Sequence, residues 1–422
     1  MDRRHFLIGS AGIPLAAASS GPALPPLPSL PPIGPPDERF WRELRWHFSI
    51  PQGAAYCNTS TLGASPKCVV NAVADHMRYV EEQLVTCDYR PDHPIYLAGY
   101  EDEPQLRTRL ANLIHAEKEE IALTRNATVG MNYIAHGLDL KAGDEVVLTN
   151  QEHPGGRTGY DLRHERDRIE IKEVAIPTPA DDPEEIVARY AKEINARTKV
   201  VSIPHITSGL GIVMPVKQIA AVARKHGAFV VVDGAQSLGQ IAVDVADLGC
   251  DAYYSSPHKW LLAPKGCGLL YVRRGAWDRV WTTIASSEWS LKTDAGRRFS
   301  QIGTGNQSLH KGLEAALDFL DHIGFANVHA RIQQLGDALR AGLREIKGTK
   351  IVSPTATGMC AGMTTWTIPG LDDKKVAEEL WLKDRVMPRA IGTGIRTSLH
   401  VYVTIDDVDR ILRRAKALTN HG

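Results

Sequence analysis

The chain has 422 residues, 43% of them hydrophobic, which is enough to bury a large core and about two subdomains. Lysine plus arginine and aspartate plus glutamate number 49 each, so no global field favours nucleic acid or anionic lipid. The six cysteines are scattered without a C-x-x-C pair, which argues against a metal site and a dithiol redox motif. Their spacing selects no disulfide. Partners must therefore be recognised at local sites.

Residues 1–23, MDRRHFLIGSAGIPLAAASSGPA, resemble a twin-arginine export signal. Arg3 and Arg4 precede an apolar run that is too short to span a bilayer and ends in small residues, with cleavage expected near Ala18 or Ala23. We expect export to the periplasm or medium through the twin-arginine translocase, without stable membrane insertion. Residues 24–36 are rich in proline, which predicts an extended linker without regular structure.

Short apolar runs alternate with helical patterns from about residue 100 onwards. The runs DEVVLTN, IEIKEVAI, TKVVSIPHI, AFVVVDGA and GCGLLYVRR are bounded by turn residues, and they predict strands buried on both faces of a largely parallel sheet. Between them, VKQIAAVARKHG has the apolar spacing of a helix that stops at Gly227. This order predicts an α/β domain.

The sequence pattern changes after Gly305, where two consecutive helices are expected over GLEAALDFLDHIG and VHARIQQLGDALRAGLREIKG. Strands over KIVSP, GMTTWTIPG and GIRTSLHVYV and helices over DKKVAEELWLKD and DDVDRILRRAKAL follow. We expect a smaller α+β domain beside the sheet domain. No internal repeat and no membrane-spanning run occurs after the leader.

Two charged residues stand at the ends of predicted strands. Asp233 closes FVVVD, at the edge of a parallel sheet where ligands bind, although an aspartate there also commonly caps a helix. Lys259 follows the strand in DAYYSSPHK. A lysine that loses its solvent has a lowered pKa and attacks carbonyl groups, whereas a lysine that reaches out to water from a strand end has no such role.

Two further signals complete the set. In LTRNATVGMN, Asn126 to Thr128 open a helix whose free N–H groups and hydroxyl would cradle a phosphate or would simply cap the helix. His153 follows the strand in LTNQEHPGG, a position that on its own is more typical of an ordinary surface histidine. Together, a phosphate cradle, a flat ring, an acid and a lysine suit pyridoxal phosphate.

Several motifs also resemble a known family, the class V fold-type I pyridoxal-phosphate (PLP) enzymes. They are TRNATVGMN, QEHPGG, IGTGN, GIRTSLHVY and the block from Asp233 to Lys259, and the similarity runs from about Tyr56 to the last helix. The group includes cysteine desulfurases, isopenicillin N epimerase-like proteins and aminotransferases. It implies a large domain with a mostly parallel seven-stranded sheet flanked by helices, and a smaller α+β domain.

The resemblance implies roles for the residues that match its motifs. Lys259 would form the internal aldimine and shuttle the α-proton, Asp233 would pair with the pyridine nitrogen, and His153 would stack on the ring. Gln236 would hydrogen-bond the phenolic oxygen. The phosphate would be held by Ala127, Thr128, Ser256 and His258. No metal is expected.

The same resemblance extends to the substrate and the assembly. Arg396 in GIRTSLHVY would bind a substrate carboxylate through its guanidinium fork, and Asn58 would line the substrate pocket. Thr304 in IGTGN would reach the phosphate of a neighbouring subunit, which implies a homodimer.

The implied domain organisation divides the mature chain into three parts. Residues 37–84 would pack on the small domain, residues 85–305 would form the cofactor-binding domain, and residues 306–422 would form the small domain. Residues 86–100, with Arg90, His93 and Tyr100, have no assignable role.

The chain departs from cysteine desulfurases because no cysteine lies shortly before Arg396. Cys360, the nearest, reads as the entry to a strand. We therefore expect an exported enzyme that acts at the α-carbon of an amino acid or an amino-acid-containing metabolite through an external aldimine and quinonoid, by transamination or epimerisation. A C–S lyase or desulfurase-like enzyme and a non-catalytic binding module are the alternatives. The sequence does not distinguish these branches or identify the substrate.

Overall fold

The computed structural model describes residues 25–31, 34–85 and 102–420. The predicted export signal and the unassigned segment 86–100 lie outside the described residues. Residues 25–31 of the predicted linker contain no helix or strand, and the Pro28 carbonyl accepts a hydrogen bond from His322 Nε2 at 3.1 Å.

Helices are numbered in chain order. They are α1 (Glu38–Leu44), α2 (Lys67–Gln83), α3 (Pro104–Leu113), α4 (Ala127–Gly137), α5 (Pro154–Asp167), α6 (Pro183–Glu193), α7 (Val216–Lys225), α8 (Val245–Leu248), α9 (Ala295–Ser300), α10 (Ser308–Ile323), α11 (Phe325–Arg344), α12 (Asp373–Asp384) and α13 (Ile405–Thr419). Among the described residues, none of them is both long and apolar enough to cross a membrane.

Strands are numbered in the same way. They are β1 (Ala55–Tyr56), β2 (Ile121–Thr124), β3 (Glu145–Thr149), β4 (Glu170–Val174), β5 (Thr198–Pro204), β6 (Phe229–Asp233), β7 (Ala252–Ser255), β8 (Gly268–Val272), β9 (Lys350–Ile351), β10 (Met363–Thr367), β11 (Val386–Met387), β12 (Arg389–Ala390) and β13 (Ile395–Ser398).

The central sheet has seven strands in the order β2-β8-β7-β6-β5-β3-β4. Its core from β4 to β7 is parallel, which confirms the predicted mostly parallel sheet, whereas β8 runs antiparallel to both neighbours. Two details differ from the prediction. The strand β4 is an edge strand with exposed positions, as its alternation of charged and apolar residues would allow, and β2 was not predicted.

Two apolar layers cover the faces of this sheet. On one face, Val231 of β6 and Tyr254 of β7 pack in the same cluster as Met131 of α4 and Tyr160 of α5. On the other face the buried side of α7 packs, and the chain turns after it at Gly227, which has a φ of 70°. Because α4 and α5 begin where parallel strands end, their N-termini lie at the sheet edge that carries Asp233.

The C-terminal part forms an antiparallel sheet in the order β12-β13-β10-β9, with α11 packed on β10 and against α13. The predicted helices and strands after Gly305 occur in the predicted order, but the short strands β11 and β12 were not predicted. The N-terminal segment joins it through β1, which pairs in parallel with β11, while α2 packs along α10. The segment also approaches the central sheet, since the Gly63 N–H donates to the carbonyl of His258 at 2.9 Å.

Candidate active site

A cavity of about 270 Å³ opens at the carboxyl ends of β6 and β7. Most of the residues singled out from the sequence line it together: Ala127, Thr128, His153, Asp233, Gln236, Ser256, His258, Lys259 and Arg396. The other two lie outside its lining: Asn58 Oδ1 accepts a hydrogen bond from Arg396 at 3.3 Å, and Thr304 lies on the surface of the single chain after α9.

Lys259 and Asp233 form the centre of the cavity. Burial lowers the pKa of the Lys259 amine to about 8, and the charge of Arg396 adds to this lowering, while the charge of Asp233 opposes it. About a tenth of the amine is therefore neutral and nucleophilic at pH 7, far more than for a lysine of ordinary pKa. The lysine loop is held close to the N-terminal segment, since a Cβ on Gly63 would clash with the Lys259 carbonyl oxygen.

Asp233 is 6% exposed, and its carboxylate Oδ1 accepts a hydrogen bond from the Ala235 N–H at 2.8 Å. Burial raises its pKa, whereas this hydrogen bond and the charge of Lys259 oppose the rise. Its other oxygen faces α5, where a Cβ on Gly156 would lie 2.8 Å from Oδ2. A buried carboxylate beside a gap kept open by glycine is suited to pair with a ring nitrogen that carries a proton.

The N-terminus of α4 forms the anion-binding end of the cavity. Asn126 caps the helix by accepting the Val129 N–H at 3.0 Å, and the Ala127 N–H is already bound to Ser256 Oγ at 2.9 Å. The Ala127 N–H is thus occupied by protein, and the Thr128 backbone and hydroxyl and the Ser256 hydroxyl proton are the groups left to meet a phosphate. His258 lines the same end, and its Nδ1 is buried without a hydrogen-bond partner.

His153 is the N-cap of α5, where its Nδ1 accepts the Gly155 N–H at 3.0 Å. This hydrogen bond places the ring proton on Nε2. Burial, together with Lys259, Arg396 and Arg389, lowers its pKa to about 4, so the ring is neutral at pH 7. A neutral, fixed imidazole is suited to stacking.

Gln236 is held by two protein contacts. Its Nε2 donates to the Ser60 carbonyl at 2.9 Å, and its Oε1 accepts the Trp260 indole N–H at 2.9 Å. These contacts fix the orientation of the amide and leave one Nε2 hydrogen to meet the predicted phenolic oxygen.

Arg396 provides a buried cation on the opposite side of the cavity. It is 6% exposed, and its guanidinium donates to the Ser208 carbonyl at 2.6 Å, to Thr61 Oγ1 at 2.6 Å and to Asn58 Oδ1 at 3.3 Å. Burial and the neighbouring Arg389 lower its pKa to about 10. It makes no ion pair with any described residue, and its Nε has no partner.

A second arginine, which was not predicted from the sequence, lies in the same place. Arg389 lines the cavity and donates to Thr61 Oγ1 at 2.9 Å. It lies directly across from Arg396 in the β12–β13 pair. Like charges opposite each other in a sheet are unfavourable, which indicates that an anion belongs between them. The signal available in the sequence was the glycine-rich turn IGTG, which separates the two arginines as a hairpin does.

No cysteine lines the cavity in the part of the chain that the structure describes. Cys360 is buried shortly before β10, as the sequence suggested, and its Sγ bonds to the Met363 carbonyl at 2.8 Å. Burial raises the pKa of this thiol to about 11, which disfavours the nucleophilic thiolate. Cys87 falls outside the described residues.

A family model described as aminotransferase class V matches residues 100–411. The chain belongs to this family. Isopenicillin N epimerase of Streptomyces clavuligerus is 27% identical over 400 residues, which cover 90% of this chain and 98% of the relative. A cysteine desulfurase of Haloferax volcanii is 28% identical over 383 residues, which cover 85% of this chain and 87% of the relative.

Among solved structures, a C-DES variant with glycine covalently linked to its PLP cofactor superposes with a TM-score of 0.79 at 25% identity, covering 88% of this chain and 98% of that one. The cystine C–S lyase C-DES with cysteine persulfide gives 0.76 at 25% identity, with coverage of 86% and 98%. The fold is therefore that of fold-type I PLP enzymes, and this protein is a PLP-dependent enzyme of class V.

The cavity fits this cofactor on its own geometry. The unpartnered His258 nitrogen and the α4 N-terminus suit a phosphate, the space beside Gly156 suits a ring nitrogen, and Lys259 faces the remaining side. When bound, PLP supplies an aldehyde that condenses with amines and a ring that withdraws electrons from the substrate α-carbon. The chain's own groups hold the cofactor, exclude water and move the proton.

Proposed function

We propose that this enzyme acts at the α-carbon of an amino acid or an amino-acid-containing metabolite, by transamination or epimerisation. The observation that carries the proposal is Arg396, a buried cation that shares the cavity with Lys259 and has no anionic partner among the described residues. An unpaired buried charge is costly, and a substrate carboxylate would remove that cost. The Lys259 amine, with its lowered pKa, is the group placed to take and return the α-proton.

A C–S lyase or desulfurase-like activity is the second candidate, because a cysteine desulfurase and the C–S lyase C-DES are among the similar proteins. A desulfurase mechanism that forms a persulfide on the enzyme needs a reactive cysteine at the substrate. Cys360 does not meet this need, since its thiol is buried and bonded to a backbone carbonyl. We therefore favour chemistry without an enzyme persulfide. A binding module without turnover is disfavoured because Asp233, which would keep the ring an electron sink, and Arg396, which would bind a carboxylate, share the cavity with Lys259.

The test is exchange of the α-proton with solvent. The cofactor-loaded protein is incubated in heavy water with a panel of amino acids, and deuterium at the α-carbon is measured by mass spectrometry. We expect exchange with at least one amino acid, and its loss in Arg396→Ala but not in Arg413→Ala, an exposed arginine on α13. Absence of exchange across the panel, in protein that binds cofactor, would favour the binding module.

Product analysis of the positive substrates resolves the branch. A D-enantiomer indicates epimerisation, a 2-oxo acid with an aminated acceptor indicates transamination, and released sulfide or persulfide indicates C–S cleavage. Cys360→Ser is the control for the last result, because sulfide release that survives this change excludes Cys360 as the persulfide carrier.

We also propose export and a homodimer, on the basis of the sequence. Replacement of Arg3 and Arg4 by lysine should retain the protein in the cytoplasm of a host with twin-arginine transport, whereas periplasmic protein in that variant would contradict export by this route. Sedimentation should give a dimer, and Thr304→Ala should weaken cofactor retention. A monomer that retains cofactor fully would overturn the role of Thr304.

A further inference from the structure

A second carboxyl group lies beside the cofactor cavity, and the proposed function assigns it no role. Glu152 lies in the turn between β3 and α5, directly before His153, and its N–H donates to the Thr149 carbonyl at 3.2 Å. Both carboxyl oxygens are buried, and neither makes a hydrogen bond of ordinary geometry or an ion pair with a described residue. The group is therefore enclosed without the partners that an ionised carboxylate requires.

The surroundings of Glu152 are polar but uncharged on most sides. The hydroxyl groups of Tyr160, Tyr254 and Ser202 are also buried without a hydrogen bond of ordinary geometry. The cluster adjoins Asp233, because the position of a Cβ on Gly156 would be 2.8 Å from Asp233 Oδ2 and 3.4 Å from the Tyr254 hydroxyl. Asp233 Oδ2 and the Tyr254 hydroxyl therefore both lie close to Gly156, and the charge of Asp233 raises the pKa of Glu152.

Two carboxylates in such a place do not both ionise, since each raises the cost of charging the other. The ionised form of Asp233 is stabilised by the hydrogen bond from the Ala235 N–H at 2.8 Å and by the charge of Lys259. Glu152 has neither, and burial followed by the charge of Asp233 raises its pKa well above the ordinary range. The proton therefore belongs on Glu152.

The other groups that act on Glu152 do not change this assignment. The Thr149 backbone, and after it the Arg157 guanidinium of α5, lower the pKa of Glu152, but burial and the charge of Asp233 are the larger influences and raise it. The titratable or charged groups that face it from α5, α6, β6 and β7 are Arg157, Tyr160, Tyr190, Asp233 and Tyr254.

We propose that Glu152 is a positioning residue whose carboxyl group carries a proton at neutral pH, so that Asp233 remains the single ionised carboxylate beside the cofactor ring. The neutral acid leaves the negative charge on Asp233, where the ring nitrogen needs it. Ionisation of Glu152 at alkaline pH would place a second charge there and destabilise the fold.

The sign of the pH dependence follows from linkage. A carboxyl whose pKa is raised in the folded state binds more protons folded than unfolded, so it lowers the free energy of unfolding as the pH rises above the unfolded pKa. The Glu152→Gln variant keeps the shape of the neutral acid and cannot ionise. Relative to wild type it should gain stability with rising pH.

The test measures thermal unfolding of the full chain without cofactor from about pH 5 to about pH 9. The melting temperature of Glu152→Gln minus that of wild type should increase across this range by roughly 1–3 °C, and Glu165→Gln, an exposed position on α5, should show no such trend. A difference that decreases with rising pH would mean that Glu152 is ionised in the fold and would overturn the proposal. Because no cofactor is present, this outcome is independent of the proposed reaction.

A second measurement covers the case in which the variant does not fold. Wild-type protein with ¹³C-labelled glutamate side chains should show an infrared band of a protonated carboxylic acid at neutral pH, shifted by the label and so distinct from any aspartic acid. Absence of a labelled acid band at neutral pH would overturn the proposal. The visible absorbance of cofactor-loaded Glu152→Gln should match that of wild type around neutral pH, because both side chains are then neutral. If Glu152 were charged in wild type, the substitution would change this absorbance.

Discussion

Arg396→Ala should remove activity toward carboxylate substrates without unfolding the protein. In the native cavity the guanidinium is 6% exposed and has no described anionic partner, so a bound carboxylate would form a buried, charge-assisted pair with it. Truncating one partner of such a pair costs about 2–5 kcal/mol. This corresponds to a loss in kcat/KM of about 30-fold to about 4,000-fold.

The effect of this substitution on stability is expected to be small because two terms oppose each other. Burial that lowers the pKa of Arg396 to about 10 corresponds to a cost of about 3 kcal/mol for holding the charge in the fold. The variant is relieved of this cost but loses hydrogen bonds to Ser208, Thr61 and Asn58, each of which contributes about 0.5–1.5 kcal/mol. We therefore expect a change within about 1–2 kcal/mol in the free energy of unfolding.

The assay compares an amino acid with its primary amide in α-proton exchange. Wild type should prefer the acid, and Arg396→Ala should lose most of this preference because the amide has no charge to pair. An equal loss of kcat/KM for acid and amide, or an unchanged preference, would refute the assignment of Arg396 to the carboxylate. Arg413→Ala should behave as wild type with both substrates.

Three further outcomes follow from the site. Gly156→Ala should weaken cofactor binding by about tenfold or more, because its Cβ would lie 2.8 Å from Asp233 Oδ2. Equilibrium dialysis measures the cofactor affinity of this variant and of the control Thr158→Ala, an exposed position on the same helix. Equal affinity in the two variants would contradict the geometry. The rate of cofactor uptake by the cofactor-free protein should rise with pH through about 8, since only the neutral Lys259 amine reacts, whereas a midpoint near that of an ordinary lysine, about 10, would contradict the lowered pKa. Cys360→Ser should leave kcat within about twofold, as expected for a thiol outside the cavity, and a large loss of product formation with a normal melting temperature would restore a desulfurase-like role.

The sequence predicted the parts of the site that depend on local chain order. Asp233, His153 and Thr128 stand where strands end or helices begin, and parallel strands bring those positions to one edge whatever the details of packing. For the same reason the strand β6 and the helix α7 were predicted from apolar runs and helical spacing alone.

The parts that depend on register and on long-range contact were not predictable in this way. Arg389 reaches the cavity only because the β12–β13 register sets it across from Arg396. Thr61 comes from a segment far away in the chain, and its contact with Arg396 spans 335 positions. Gln236 also depends on long-range contacts. Its hydrogen bonds with Ser60 and Trp260 decide which amide hydrogen remains free to bind the cofactor.

The exposed character of β4 shows a different limit. Its sequence EIKEV alternates as an edge strand does, but the apolar residues around it suggested burial on both faces. Strand order decides which strand lies at the edge, and strand order is not a local property.

The most direct test of the central claim is to trap the covalent bond between the protein and its cofactor. Borohydride reduction of the cofactor-loaded protein, followed by peptide mapping, should place the reduced pyridoxyl group on Lys259 and leave Lys265, an exposed lysine in the same loop, unmodified. A label on Lys265, or a protein that retains no cofactor after reduction, would contradict the account.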